Sequence, residues 1–243
     1  MPDFNRIRYK CERSVAISDK FVDKFLLPFC DAEEGLNKKF AAMLSGYLNI
    51  IQKMPENWPL CLTAQYIAFR LFRSGGLALK YYNHLQVRRR SEKELDYLKF
   101  QVEHPWRFGF CFITQIRKGC FFEMKDVLTG EEFLLFSPSI AEIEEQKGPM
   151  SLYFLLIGFN GECWQTYGVN NYFKGIQPLD LLYFAKQLRP DLVSLNEIPA
   201  LIDENPVPFM MLWVGAEFPL TVHKNDPVVA VGSSIKQDEF PGD

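Results

Sequence analysis

The hydrophobic pattern of this chain changes period once, at His104-Pro105, and that change limits the folds open to it more than any other feature. Upstream, apolar residues recur at the three- and four-residue spacing of a helix face; downstream they come in runs and alternations that suit strands. Ser18 is placed to cap a helix carrying Val22, Phe25, Leu26 and Phe29, and Leu36, Phe40, Leu44, Tyr47 and Ile51 continue a similar stripe. Pro55 and Pro59 punctuate the chain. The spacing then predicts a third helix from Pro59 to Arg73, ended by Ser74-Gly75-Gly76, a fourth from about Leu77, and a fifth that starts at the capping-box pair Ser91/Glu94 and runs to about Glu103.

Beyond Pro105, the runs Trp106 to Ile116 and Cys120 to Asp126 flank Arg117-Lys118-Gly119 and predict a hairpin. The first run is apolar on both faces, with Phe108, Phe110, Phe112 and Ile116 on one and Cys111 and Ile113 on the other, which suits a central strand or a closed barrel. Leu128-Thr129-Gly130-Glu131 supplies a tight turn into a strand from Glu132 to Phe136, and Asn160-Gly161 joins Leu152–Phe159 to Cys163–Val169. Pro178 to Leu188 reads as a helix, Ser194 with Glu197 as the start of another, and Phe209–Val214, Leu220–His223 and Val228–Val231 as strands. The expected class is α+β: a helical region over residues 1–104, then a small antiparallel β-barrel-like domain with flanking helices over 105–235, and a flexible acidic tail over 236–243.

Composition narrows the function classes. With 48% hydrophobic and 23% charged residues, the chain is neither disordered nor fibrous. No apolar stretch approaches the roughly 20 residues of a bilayer helix, and the opening Met-Pro-Asp-Phe-Asn-Arg carries no apolar signal region, so a cytoplasmic protein without a membrane partner is expected. The six cysteines, Cys11, Cys30, Cys61, Cys111, Cys120 and Cys163, contain no C-x-x-C pair; they read as reduced, mostly buried hydrophobes rather than zinc ligands or a disulfide framework. His84, His104 and His223 lie in three separate elements without metal-ligand spacing, and Gly75-Gly76 lacks the pattern of a phosphate loop. No catalytic residue, metal or cofactor is therefore assigned. A fold that brings Cys111 to His104, or a hydrolase or transferase site between the helices and the barrel, stays open.

The stretch His104-Pro105-Trp106-Arg107-Phe108, followed by Asp126-Val127-Leu128-Thr129-Gly130-Glu131 and then Gly148-Pro149-Met150-Ser151-Leu152-Tyr153, resembles a β module of bacterial proteins. In that module a D-P-W-R opening leads to a D-L-L-T-G-E turn, and a SEC-C zinc motif often accompanies it. The likeness covers about residues 104–190. This chain lacks the Cys-rich metal-binding run of those proteins, so no zinc role carries over. The resemblance implies a small closed β-barrel and no chemistry.

Two features suggest binding. Between Cys61 and Ser91, Arg70, Arg73, Lys80, Arg88, Arg89 and Arg90 occur with no acid, a basic helical pair that would suit RNA or single-stranded DNA if Tyr66, Tyr81 and Tyr82 stacked on bases. Seven acids between Asp126 and Cys163, against Lys147 alone, offer these cations an internal partner instead. The second feature is aromatic: Tyr153, Trp164, Tyr167 and Tyr172 crowd one hairpin and its exit, as at a surface that receives a protein or peptide. The favoured expectation is a non-enzymatic interaction or adaptor protein that presents this aromatic surface to a protein or peptide partner.

Overall fold

The computed structural model describes residues 3–217 of the chain, apart from Lys53 and Pro55. Helix α1 (Phe4–Ile17) passes without a break into nine residues of π-helix (Ser18–Leu26) and then into α2 (Leu27–Glu34). Ser18 is thus not a helix start. The N-cap is Asp3, whose Oδ1 accepts hydrogen bonds from the backbone N–H groups of Asn5 at 3.1 Å and Arg6 at 3.2 Å. Helix α1 buries only Ile7 and Cys11, which is why no apolar stripe announced it. Gly35, in the left-handed region at φ 62°, turns the chain into α3 (Leu36–Leu44) and the short α4 (Leu48–Ile51).

Helix α5 (Trp58–Phe72) is apolar almost all round and forms the centre of the helical part. The short α6 (Ala78–Tyr82) and then α7 (Glu92–Glu103) follow. The predicted capping box is present, with Glu94 accepting from the Ser91 backbone N–H at 2.9 Å and from its hydroxyl at 2.7 Å.

Strands β1 (Arg107–Arg117), β2 (Phe121–Asp126), β3 (Glu132–Phe136), β4 (Leu152–Phe159) and β5 (Trp164–Phe173) close a barrel in the order β1-β2-β3-β5-β4. The class is α+β, as the change of period implied. Four pairings are antiparallel; the closing contact, Leu135 beside Trp164 and Phe136 beside Gln165, is parallel. Helix α8 (Pro138–Lys147), between β3 and β4, makes that parallel contact possible, because the chain must cross over before β5 can run alongside β3. Such an order is that of an OB-type Greek-key barrel. Helix α8 escaped the sequence reading although Ser137, which accepts from the Ile140 N–H, and Pro138 are a ready cap and first turn.

The two faces of β1 serve different cores. Cys111 and Ile113 point into the barrel with Phe122, Met124, Leu135 and Leu155, and Ile140 of α8 joins this set. Phe108 and Phe110 point outwards to the helices: the Phe108 ring lies 4.8 Å from Phe69 of α5 and 4.7 Å from Phe154 of β4. The chain after β5 completes that second core through α9 (Pro178–Leu188), α10 (Ile198–Glu204) and α11 (Val207–Glu217), with Phe184 and Phe209 meeting edge-on at 5.4 Å. The expected strand Phe209–Val214 is therefore helical. A short apolar run does not reveal its period when it is buried on every side, and Phe209, Met210, Met211 and Leu212 are all buried. The expected strands Leu220–His223 and Val228–Val231, and the tail over 236–243, lie outside the described residues. Among the described residues no helix is long and apolar enough to cross a membrane.

The motif residues at the start of β1 and after β2 hold one another. Arg107 pairs with the fully buried carboxylate of Asp126 and, at 2.6 Å, with Glu131. Asp126 also accepts from the Leu128 N–H at 2.9 Å and so shapes the Val127–Gly130 turn. Removing one partner of such a pair strands the other. Asp126→Ala is expected to lower stability by about 2–4 kcal/mol in urea unfolding, and Arg107→Ala by a comparable amount.

Candidate functional site

A cavity of about 420 Å³ opens between the α1 to π-helix segment, α5, α7 and the β4–β5 edge, segments that are far apart in the chain. Its floor is Trp106, the residue that leads into β1. The Trp106 ring stacks on Phe72 at 4.4 Å, and its Nε1–H donates to Gln101 Oε1 at 2.6 Å. Gln101, itself buried in α7, also donates to the Phe159 carbonyl at 3.2 Å, so one amide ties α7, Trp106 and the end of β4 together. Gly158 is required opposite this ring: a Cβ there would sit 2.5 Å from Trp106 Nε1.

The wall formed by β5 depends on a bulge. Leu156 pairs with Tyr167 and Phe154 with Asn171, so β5 carries two more residues than β4 over the same span. Gly168 takes φ 74° within it. The carbonyls of Tyr167 and Val169, on either side of Gly168, both accept from Gln65 Nε2 of α5 at 2.9 Å. This clip turns the Tyr167 ring towards Trp106, 5.1 Å away between centroids.

The mouth is acidic. In the π-helix each turn closes one residue later than in an α-helix, and this segment brings Ser18, Asp19 and Asp23 to the cavity rim. Tyr167 donates its hydroxyl hydrogen to Asp23 Oδ1 at 2.6 Å. Partial desolvation by the cavity wall holds the Asp23 carboxyl above the usual carboxylate range; the Tyr167 hydrogen bond opposes this shift and the charge of Asp19 adds to it. Burial pushes the phenols of Tyr97 and Tyr167 well up, so both stay neutral, and Tyr167 is the donor to Asp23. Among the described residues lining the cavity there is no Lys, Arg or His. The result is an aromatic floor beneath two carboxylates, with no cation among these lining residues to neutralise them.

Of the four aromatic residues expected at a binding surface, Tyr167 alone lines this cavity. Tyr153 is fully buried in the barrel, with its hydroxyl on Glu144 of α8, so it does not belong to an outward surface. Trp164 is half-buried beneath the Arg107 guanidinium, 5.2 Å from its centroid, and Tyr172 lies beneath Lys147. The pleat sends alternate residues to opposite faces, and the bulge separates Tyr167 from Tyr172 further.

The basic run is also dispersed. Arg73 donates to the Asp203 carbonyl at 2.9 Å beside α10, and Arg70 is half-buried on the same helix, α5. Arg88 lies over the Tyr82 ring, Arg89 is exposed, and Arg90 pairs with Glu94 at 2.6 Å while covering Phe25. Among the described residues the ion pairs of the two runs go elsewhere: Lys80 pairs with Glu34, whereas Glu162 takes Arg6 and Lys10 of α1. His104 stacks on Phe100 at 4.1 Å and Cys111 is enclosed in the barrel, where burial raises its thiol far above the usual range. Those two do not form a nucleophile and base. Among the described residues, no group of three or more His, Cys, Asp or Glu is placed to hold a metal ion.

Compared with known proteins, the chain matches no family model, no curated protein and no solved structure.

The β5 clip is open to direct test. Gln65→Leu keeps the bulk but leaves the Tyr167 and Val169 carbonyls without their donor. It is expected to cost about 2–4 kcal/mol in urea unfolding, with enhanced amide exchange across residues 167–171.

Proposed function

We propose that this protein is a non-enzymatic binding protein whose cavity receives the cationic end of a ligand, a lysine or arginine side chain of a peptide or protein partner. The observation that carries this reading is the pairing of two uncompensated carboxylates, Asp19 and Asp23, with the aromatic floor of Trp106 and Tyr167. A desolvated ammonium or guanidinium over an aromatic face gains about 0.5–2 kcal/mol. Carboxylates at the mouth add a charge-assisted hydrogen bond and steer a cation inwards. The same carboxylates repel phosphate, so the cavity disfavours nucleic acid. A space of about 420 Å³ admits one long side chain together with part of its backbone.

Isothermal titration of the protein with acetyl-Gly-Lys-Gly-amide, its norleucine counterpart and free butylammonium separates the parts of this proposal. The lysine peptide is expected to bind at least tenfold more tightly than the norleucine peptide, and Asp23→Asn to weaken it about five- to tenfold. Equal affinities for lysine and norleucine peptides, or no binding of either at millimolar concentration, would overturn the proposal. Butylammonium binding as tightly as the peptide would identify a free amine, not a partner protein, as the source of the cation.

Acid should release the ligand. A bound cation favours ionised Asp23, so affinity falls as pH drops through the raised pKa of that carboxyl, starting above the usual carboxylate range near about 4. In Asp23→Asn this part of the pH profile should be absent.

A further inference from the structure

The loop between β4 and β5 and the middle of α1 bring two buried thiols together. Cys11 Sγ and Cys163 Sγ lie 3.3 Å apart, both buried, although 152 residues separate them in the chain. Asn160 organises the pair. Its Oδ1 accepts from the N–H groups of Glu162 at 2.9 Å and Cys163 at 3.0 Å, which fixes the loop, and its Nδ2 donates to Cys11 Sγ at 3.2 Å. Gln165 Nε2 donates to the Cys11 carbonyl at 3.2 Å, so the helix is held at this point by backbone as well as side chain.

We propose that Cys11 and Cys163 are a dithiol that a small-molecule disulfide oxidises to an intramolecular disulfide, fastening α1 across the β1–β2 and β4–β5 loops of the barrel. The two sulfurs need to approach from 3.3 Å to the bond length of about 2.05 Å. Cys11 is the attacking thiol: it sits on α1, the element whose lifting opens the site to the oxidant, whereas Cys163 stays in the β4–β5 loop held by Asn160 and resolves the mixed disulfide when the helix returns. The Cys11 thiolate attacks one sulfur of the oxidant R–S–S–R, and one RS⁻ leaves. Cys163 then attacks Cys11 Sγ and displaces the second RS⁻. The two thiol protons end on the two released thiolates, and the oxidant takes up two electrons.

What the bond would fasten is visible around it. Phe4 rests on Phe121 at 5.0 Å between ring centroids, Ile7 is buried beside it, and Arg6 and Lys10 both reach Glu162, at 3.1 and 2.5 Å. Helix α1 therefore covers the start of β2 and the β4–β5 loop. Because both thiols are buried, the oxidant reaches them only when α1 lifts, so they react more slowly than the exposed Cys61. Cys120, packed against the same small cluster, is the one nearby competitor there.

The test uses the native full-length protein with oxidised glutathione at neutral pH, acid quenching, alkylation and peptide mass spectrometry. The expected result is a linked peptide pair containing Cys11 and Cys163, loss of these two of the six thiols as a disulfide, and at least tenfold slower tryptic cutting between Arg6 and Arg13, reversed by dithiothreitol. The wild-type measurement needs no variant that must fold. In Cys163→Ser, Cys11 should stop at the mixed disulfide with glutathione. Cys11 and Cys163 both remaining free after Cys61 has been fully glutathionylated and α1 has exchanged its amides would overturn the proposal. So would a link from Cys163 to Cys120 in place of Cys11.

Discussion

Everything in this molecule is arranged around a strand that is apolar on both faces. Strand β1 sends Cys111 and Ile113 into the barrel and Phe108 and Phe110 out of it, so the barrel cannot stand with that outer face in water. The helices supply the cover. Phe69 of α5 and Phe209 of α11 press on the outer rings of β1 and β4, and truncating such a buried ring typically costs about 3–5 kcal/mol. The helical part is equally dependent: α5 is apolar nearly all round and would expose much of that surface without the barrel. The helices and the outer face of the barrel therefore share one core, distinct from the barrel interior, and α7 packs at its edge, while α1 belongs to a separate small cluster with Phe121, Phe136 and Cys163.

The cavity lies at the border of that seam, where the regular pairing stops. The extra residues in β5 leave two carbonyls outside the ladder, and a buried carbonyl needs a donor. Gln65 supplies both hydrogen bonds, which sets the direction of Tyr167; Gln101 does the same for Trp106. Two buried amides thus fix two rings, and rings held in this way offer a ligand little entropic cost. Asp19 and Asp23 add the opposite quality. The charge of Asp19 works against ionisation of Asp23, and the proposed cationic ligand would relieve that repulsion, so the part of the cavity that stabilises the fold least is the part on which the proposed binding rests.

The legible parts of the sequence were those in which one local signal agreed with the burial. The capping box at Ser91 and Glu94, the two-sided apolar run of β1 and the Asn160-Gly161 turn each appear where expected, the last as a four-residue loop with Gly161 at φ 93°. The cavity was not legible, for reasons that differ by residue. Asp19 and Asp23 belong to a π-helical turn, whose phase no α-helical spacing rule follows, and Trp106 read as the first residue of a strand and not as a floor. Tyr167 was identified, but among three aromatics that the pleat directs elsewhere. Gln65 and Gln101 are silent, because a buried glutamine has no pattern of its own; the bulge carbonyls explain the first, and Trp106 with the Phe159 carbonyl the second. Helix α1 was hidden by its polarity. With Ile7 and Cys11 as its only buried residues, its place is set by long-range contacts to Phe121, Glu162 and Cys163.

Those long-range contacts connect the two ends of one rigid element. Helix α1 and the π-helix form an unbroken segment from Phe4 to Leu26, with Cys11 near its middle and Ser14, Val15, Ser18 and Asp23 along the cavity. Hydrogen bonds run through the whole segment, so α1 cannot lift from the barrel loops without moving Ser14 and Val15 away from the cavity wall. A ligand that needs that wall in place opposes the lifting, and whatever holds α1 down favours the ligand by the same free energy, because linkage between two binding events is reciprocal. Cys11, Ser14, Val15 and Ser18 recur at the spacing of a single helix face, so the proposed disulfide and the proposed ligand would act on one equilibrium: the docking of α1.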